Sequence, residues 1–264
     1  MATITSAATG NFLTGGTWNG GVVPTTGDDA VASTGTVVTV DGTVTCDKLT
    51  NAGTGYFAAS SAQTINANIV EAGTGSNGCV RVTHSSGTVT INGDVSITGT
   101  GGNRYGVSRT SNTSAIVING SVTGGGGTNN HGFNSTVANA SATINGDVTA
   151  GSGATACGAY HTGATQTLTV NGTITPSTTA PGVFFASSAG TLVHTGGSCV
   201  SNSTGQLPFA CALTGTPLRY LPEAGAGIVH TYRRNDSGSP GDPMTLSESS
   251  GVPGLHSIES GIAS

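Results

Sequence analysis

An Ile/Val-Asn-Gly-x-Val/Ile phrase returns along this chain at an almost fixed interval. It reads Ile65-Asn66-Ala67-Asn68-Ile69, Ile91-Asn92-Gly93-Asp94-Val95, Ile118-Asn119-Gly120-Ser121-Val122, Ile144-Asn145-Gly146-Asp147-Val148 and Val170-Asn171-Gly172-Thr173-Ile174. The Asn positions step by 26, 27, 26 and 26 residues. A weaker copy, Val40-Asp41-Gly42-Thr43-Val44, precedes the series, and Val193-His194 follows it. Such a period is the signature of stacked coils, each too small to bury its apolar side alone and each closing on its neighbour.

The composition agrees. Forty-four of 264 residues are Gly and only 7% are charged, unlike an ordinary globular enzyme. The 35% hydrophobic share falls at strict intervals, which a disordered chain does not need. Abundant Thr, Val and Ile make the chain all-β. A net charge of −5, with seven scattered Lys plus Arg, leaves no basic stripe for nucleic acid. No apolar run approaches the length of a membrane span. The opening Met1-Ala2-Thr3-Ile4-Thr5-Ser6 carries neither the basic nor the apolar part of a secretory signal. The expected destinations are the cytoplasm, or a route needing no such signal, such as assembly into a virus particle.

A second column strengthens the solenoid reading. Phe57, Val82, Val107, Phe133, Tyr160, Phe184 and Phe209 follow at steps of 25, 25, 26, 27, 24 and 25, as residues stacking along an interior would. Val40, Ile65, Ile91, Ile118, Ile144, Val170 and Val193 form a third column before the Asn. Val44, Ile69, Val95, Val122, Val148 and Ile174 form a fourth after it. Polar residues alternate between these walls, the period of strands with one face inward. The expected fold is a right-handed parallel β-helix of six or seven coils, roughly 30–35 Å tall at about 4.8 Å per coil. The Gly of each Asn-Gly is expected at a corner with positive φ, and the Asn side chains as a ladder, inside or outside.

The two ends depart from the rhythm. Residues 1–37 hold the only Trp, Trp18, and are expected to cap the open first coil, with the solenoid proper spanning 38–212. From 213 to 264 the period stops. Leu218-Arg219-Tyr220-Leu221-Pro222 and Ile228-Val229-His230-Thr231-Tyr232-Arg233-Arg234 read as strands. A tail with Pro240, Pro243 and Pro253 follows, either disordered or an arm that orders on a partner. The five Cys (46, 79, 157, 199, 211) include no pair adjacent in both coil and phase, so free buried thiols are expected.

The phrase Trp18-Asn19-Gly20-Gly21-Val22-Val23-Pro24-Thr25-Thr26-Gly27-Asp28-Asp29, followed by Val38-Thr39-Val40-Asp41-Gly42, resembles the opening of β-helical phage virion structural proteins. It is also similar to the start of the G8-type β-rich extracellular domain. The resemblance covers about the first 45 residues. It implies a β-helical architecture, a virion structural role and trimerisation, and it carries no catalytic residue.

Asp94 and Asp147 share a phase two coils apart with Ser121 between, which spaces them roughly 10 Å apart. That is just beyond the ~6.5–9.5 Å of an inverting glycosidase pair. Asp after Asn-Gly also suits a turn. Arg81, His84, Arg104 and Arg109 fall on two adjacent coils, where a lyase could use a basic group beside an acidic sugar; the favoured reading is a polar outer face, open to docking on acidic residues of a neighbouring subunit. The six His show no metal spacing, and Gly124-Gly125-Gly126-Gly127-Thr128-Asn129-Asn130 reads as a flexible loop without the Lys of a phosphate loop. Tyr160-His161 lacks a nucleophile, and Tyr160 is assigned to the core column. The sequence therefore assigns no catalytic, cofactor or metal residue. The expected function is a non-enzymatic virion protein, a capsid decoration or cement protein, partnered by itself as a homotrimer and by the major capsid protein or another virion protein. No nucleic-acid or membrane partner is expected. A glycan-binding tail fibre, spike or adhesin and a polysaccharide depolymerase are the alternatives.

Overall fold

A computed structural model describes residues 1–75, 78–110, 114–186 and 191–196 in full. Beyond them it describes the backbone of strands Phe209–Cys211, Arg219–Pro222, Val229–Asp236, Ser239–Ser247 and His256–Ser257. The chain is a parallel β-solenoid of about seven turns. The only described helices are the 3-10 turns Gly15–Thr17 and Asn19–Gly21.

Each coil has three faces. The first is a nine-stranded parallel sheet that includes Tyr56–Ala59, Val80–Val82, Tyr105–Arg109, His131–Ser135, Ala159–His161 and Val183–Phe185. The second carries Thr88–Ile91, Ala115–Ile118, Ser141–Ile144, Thr167–Val170 and Thr191–His194. The third carries Val95–Ile97, Val122–Thr123, Val148–Thr149 and Ile174–Thr175. The second and third faces belong to one 15-stranded sheet because Val44–Asn51 and Gln63–Glu71 run unbroken across the corner between them. Where the repeat reads Asn-Ala, at Asn66-Ala67, the strand continues. Where it reads Asn-Gly, each coil breaks into two strands.

The reason for those glycines differs from the expected one. Gly93, Gly120, Gly146 and Gly172 are not among the positive-φ residues. A Cβ on any of them would collide with the backbone of the corner in the preceding coil. Close approach of stacked corners, not a left-handed conformation, selects Gly there.

The walls are apolar apart from one column of the first face, with shifts in register. The inward column of the first face is Phe57, Val80, Val107, Phe133, Ala159 and Val183. Tyr160 and Phe184 lie one residue over, in line with Asn134, on the outer side. Val82 is inward too, but in the neighbouring column of Ala59, Arg109, Ser135, His161 and Phe185. The Ile65 column begins at Val44 rather than Val40 and ends at His194 rather than Val193. The column of Ile69, Val95, Val122, Val148 and Ile174 is as read, with Leu49 in place of Val44.

The first 37 residues contribute strands as well as a cover. Thr3–Thr5 pairs with Asp29–Ala32, and Gly10–Asn11 with Val37–Val40. Trp18 is buried, donates from Nε1 to the Phe12 carbonyl at 2.7 Å and meets the Phe12 ring edge-on at 5.0 Å. The parallel stack continues past residue 212, since Arg219–Pro222 pairs with Thr191–His194. Val229–Asp236 and Ser239–Ser247 form an antiparallel hairpin. Pro253 lies outside the described residues.

Candidate functional site

Three polar systems lie along the coils. The first is the Asn ladder, which lies on the outer corner between the second and third faces. Asn92 donates to the Asn66 Oδ1 at 2.7 Å, Asn119 to Asn92 at 2.6 Å and Asn145 to Asn119 at 2.6 Å. Asn171 donates to Asn145, and Thr195 donates to Asn171. Beside it runs a second ladder containing Asp94 and Asp147. The Asn68 Oδ1 accepts from the Asp94 amide at 3.0 Å, and the Asp94 Oδ1 accepts from the Ser121 amide at 2.8 Å. The Ser121 Oγ accepts from the Asp147 amide at 3.3 Å, and the Asp147 Oδ1 accepts from the Thr173 amide at 2.8 Å. One oxygen of each carboxylate is thus engaged with the next coil's backbone.

The second system is a stack of rings on the outer side of the first face. Tyr105 and His131 stack at 5.9 Å, His131 and Tyr160 at 4.1 Å, and Tyr160 and Phe184 at 5.5 Å, all within 10° of parallel. A sugar-binding platform presents ring faces. Here the inner faces are taken by neighbouring rings, so what meets solvent is mainly edges. The His131 Nδ1 accepts the Cys157 amide at 3.2 Å, and burial holds this imidazole near a pKa of about 3.

The third system is inside. Of the four residues expected on an outer polar face, His84, Arg104 and Arg109 are buried, and only Arg81 is half-buried, over the Tyr56 ring at 4.8 Å. Arg109 is fully buried. It donates from Nε to the Ser135 Oγ at 3.0 Å and from Nη1 to the Ser114 and Ser141 carbonyls at 2.8 and 2.7 Å. Gln166 donates to the same Ser135 Oγ at 2.8 Å, and its Oε1 meets the His161 Nδ1 at 2.8 Å. The inward position two residues after Val80 and Val107 tolerates these groups because Ser, Gln and main-chain oxygens from three coils meet them. Burial and the Arg109 charge push the His161 pKa down to about 3.

Sequence reasoning missed Glu71. It is fully buried, accepts from the Asn51 Nδ2 at 2.8 Å and the Gly73 amide at 3.0 Å, and lies 3.8 Å from the Arg104 Nη1. Burial raises its pKa to about 7 against those partners. It lies at the end of Gln63–Glu71, where the inward alternation puts a side chain inside whatever its type, so only that alternation could have flagged it. With no second carboxylate paired to it and no exposure, it is not a surface acid.

The Gly124 to Asn130 segment is packed rather than loose. Gly124, Gly125, Gly127 and Asn130 are buried, and the Asn130 Oδ1 accepts the Arg104 amide at 3.1 Å. Cys46, Cys79 and Cys157 are buried free thiols, as expected, and burial pushes Cys46 and Cys157 up to about 12. The side chains of Cys199 and Cys211 lie outside the described residues. Among the described residues no three His, Cys, Asp or Glu side chains come together to hold a metal, and no helix is long and apolar enough to cross a membrane. One described depression, about 440 Å³, lies where residues 60–62 and 83–87 turn from the first face to the second. Comparison with protein-family models, curated proteins and solved structures finds no match for this chain.

Proposed function

We propose that this chain is a non-enzymatic structural component of a virus particle, a capsid decoration or cement protein that assembles as a homotrimer on the major capsid protein. One observation carries the structural part of this reading. The polar groups that repeat along the surface are engaged with the next coil, Asn to Asn and Asp to backbone amide, instead of being left free for a substrate. Stacked coils joined by main-chain and side-chain ladders make a stiff prism, suited to bearing load between subunits. The placement on a virion rests on the resemblance of the Trp18 to Asp29 opening to β-helical phage structural proteins.

Cryo-EM of the particle that carries this chain is the deciding measurement. Density in icosahedral register on the shell is the expected result. A few copies at one vertex or along the tail would reject decoration in favour of a fibre or spike. Deleting residues 235–264 supplies a second test. The shortened chain is expected to melt cooperatively but no longer to sediment with particles, and full binding without those residues removes them from the interface.

A further inference from the structure

The six Asn-Gly sequences of this chain stand in unlike surroundings. Asn followed by Gly is the pair most prone to lose its side-chain ammonia, because no Cβ shields the main-chain nitrogen that attacks the carboxamide. Four pairs, Asn92-Gly93, Asn119-Gly120, Asn145-Gly146 and Asn171-Gly172, belong to the corner ladder. Each of these Asn side chains is held from both sides. It donates to the Asn of the preceding coil and accepts from the Asn or Thr of the following one. Main-chain bonds tie the same residues to the coil before, from the Asn92 amide to the Ile65 carbonyl at 2.8 Å and from the Asn171 amide to the Ile144 carbonyl at 2.9 Å. Their glycines press against the backbone of the preceding corner.

Asn19-Gly20, in the cap, has none of these restraints. Both residues are exposed. A single hydrogen bond among the described residues holds the carboxamide, from the Asn19 Nδ2 to the Thr5 Oγ1 at 2.6 Å. Gly20 and Gly21 have open space where a Cβ would stand. Asn77-Gly78 begins outside the described residues.

We infer that Asn19-Gly20 is a site of covalent modification, hydrolysed to aspartate or isoaspartate, and that the ladder holds its own four Asn-Gly pairs against the same reaction. The Gly20 nitrogen bonds to the Asn19 Cγ and closes a cyclic imide. The side-chain nitrogen leaves as ammonia, taking the proton of the Gly20 amide. Water then adds to either imide carbonyl and breaks its bond to nitrogen. One opening gives aspartate, and the other gives isoaspartate with an extra carbon in the main chain. Water is consumed, ammonia is released and no electrons are transferred. Ring closure needs the carboxamide carbon and the next nitrogen to meet. In the ladder that motion breaks two side-chain hydrogen bonds and drives one corner into another. In the cap it breaks one exposed bond in a turn with room around it, and such segments open at low cost. The product loses the N–H that reaches Thr5, in the edge strand Thr3–Thr5. It also adds a carboxylate to an end whose first 47 residues hold four Asp and no Lys or Arg.

The test is peptide mapping by mass spectrometry of the full chain incubated in warm, mildly alkaline buffer, beside the same chain unfolded in urea. In the folded chain Asn19 is expected to convert about tenfold or more faster than Asn92, Asn119, Asn145 and Asn171. In urea the five are expected to convert at similar rates, since Gly follows each. Asn119→Ala takes one rung from the ladder, leaving Asn92 without its donor and Asn145 without its acceptor. With its fold checked by a melting curve, this variant is expected to speed conversion of those two and leave Asn19 unchanged. Ladder residues converting as fast as Asn19 in the folded chain overturn the inference, as does an Asn19 that stays intact. The same ranking in urea would trace the selectivity to flanking sequence instead of the fold, and overturns it as well.

Discussion

Asp94 illustrates how a residue type misleads when its column is not considered. Read alone, Asp94 and Asp147 look like a carboxylate pair. Their column reads Asn68, Asp94, Ser121, Asp147 and Thr173, and at each of the four steps a side-chain oxygen accepts the next coil's amide. What the position needs is a short side chain with an acceptor, and charge is incidental. Asp94→Asn keeps that acceptor and is expected to leave the urea midpoint unchanged. Asp94→Ala removes it and is expected to cost about 1 kcal/mol, one net hydrogen bond. If Asp94→Asn instead abolished cleavage of a polysaccharide while the fold persisted, the ladder explanation would fail. The opposite misreading affected Arg109, where the sequence suggested surface polarity. Its i, i+2 spacing from inward Val107 was the available signal, and it was outweighed by the rule that charges stay outside.

The repeating corner was legible as an element, but its mechanics were not. Periodicity alone placed the Asn at a fixed phase, because one residue per coil at constant spacing must stack. Whether the ladder lay inside depended on side-chain direction, which a period of 26 does not encode. The one-residue offset of Tyr160 and Phe184 has the same origin. Large apolar residues occur on both sides of the first face, so the biggest side chain in each coil is a poor guide to the inward position. Ala159 fills that position instead, beside the inward His161. The glycine of the corner is testable. A Cβ on Gly120 would meet the Gly93 carbonyl and lie 2.7 Å from the Asp94 Oδ1. Gly120→Ala is therefore expected to destabilise the coil by about 3 kcal/mol, as backbone cannot move aside without breaking the rungs on both sides. Gly20→Ala is the control for conformation rather than crowding, since Gly20 has φ 77° with nothing within 4 Å of a Cβ. It is expected to cost about 1–2 kcal/mol. Chemical denaturation of both variants checks the contrast, and a neutral Gly120→Ala would remove the close-approach account.

Across the molecule, buried titratable groups oppose one another and set a pH window for the fold. His131 and His161 have pKa values lowered from 6.5 to about 3, mainly by burial, and His194 is lowered as well. For each, the unfolded chain takes up a proton first as pH falls, so stability is complete above about 6.5 and is lost below it, draining toward 3 for His131 and His161. Glu71 runs the other way. Its pKa is raised from 4.5 to about 7, so its contribution is full below 4.5 and is lost as pH rises through 7. Between 4.5 and 6.5 several histidines act against a single glutamate, and the histidines prevail. The melting temperature should therefore peak near pH 6.5 and fall on both sides, by on the order of 5 °C at pH 4, since ~1 kcal/mol corresponds to about 2–4 °C in a domain of this size. Glu71→Gln keeps the Asn51 and Gly73 neighbours supplied with an acceptor while removing the carboxyl, and it should flatten the alkaline limb and steepen the acid limb between pH 4.5 and 6.5, where Glu71 no longer opposes the histidines. A melting temperature that is level from pH 8 to pH 4 would mean that the histidines titrate in the folded solenoid as they do in the open chain, and that its interior is wetter than its packing implies.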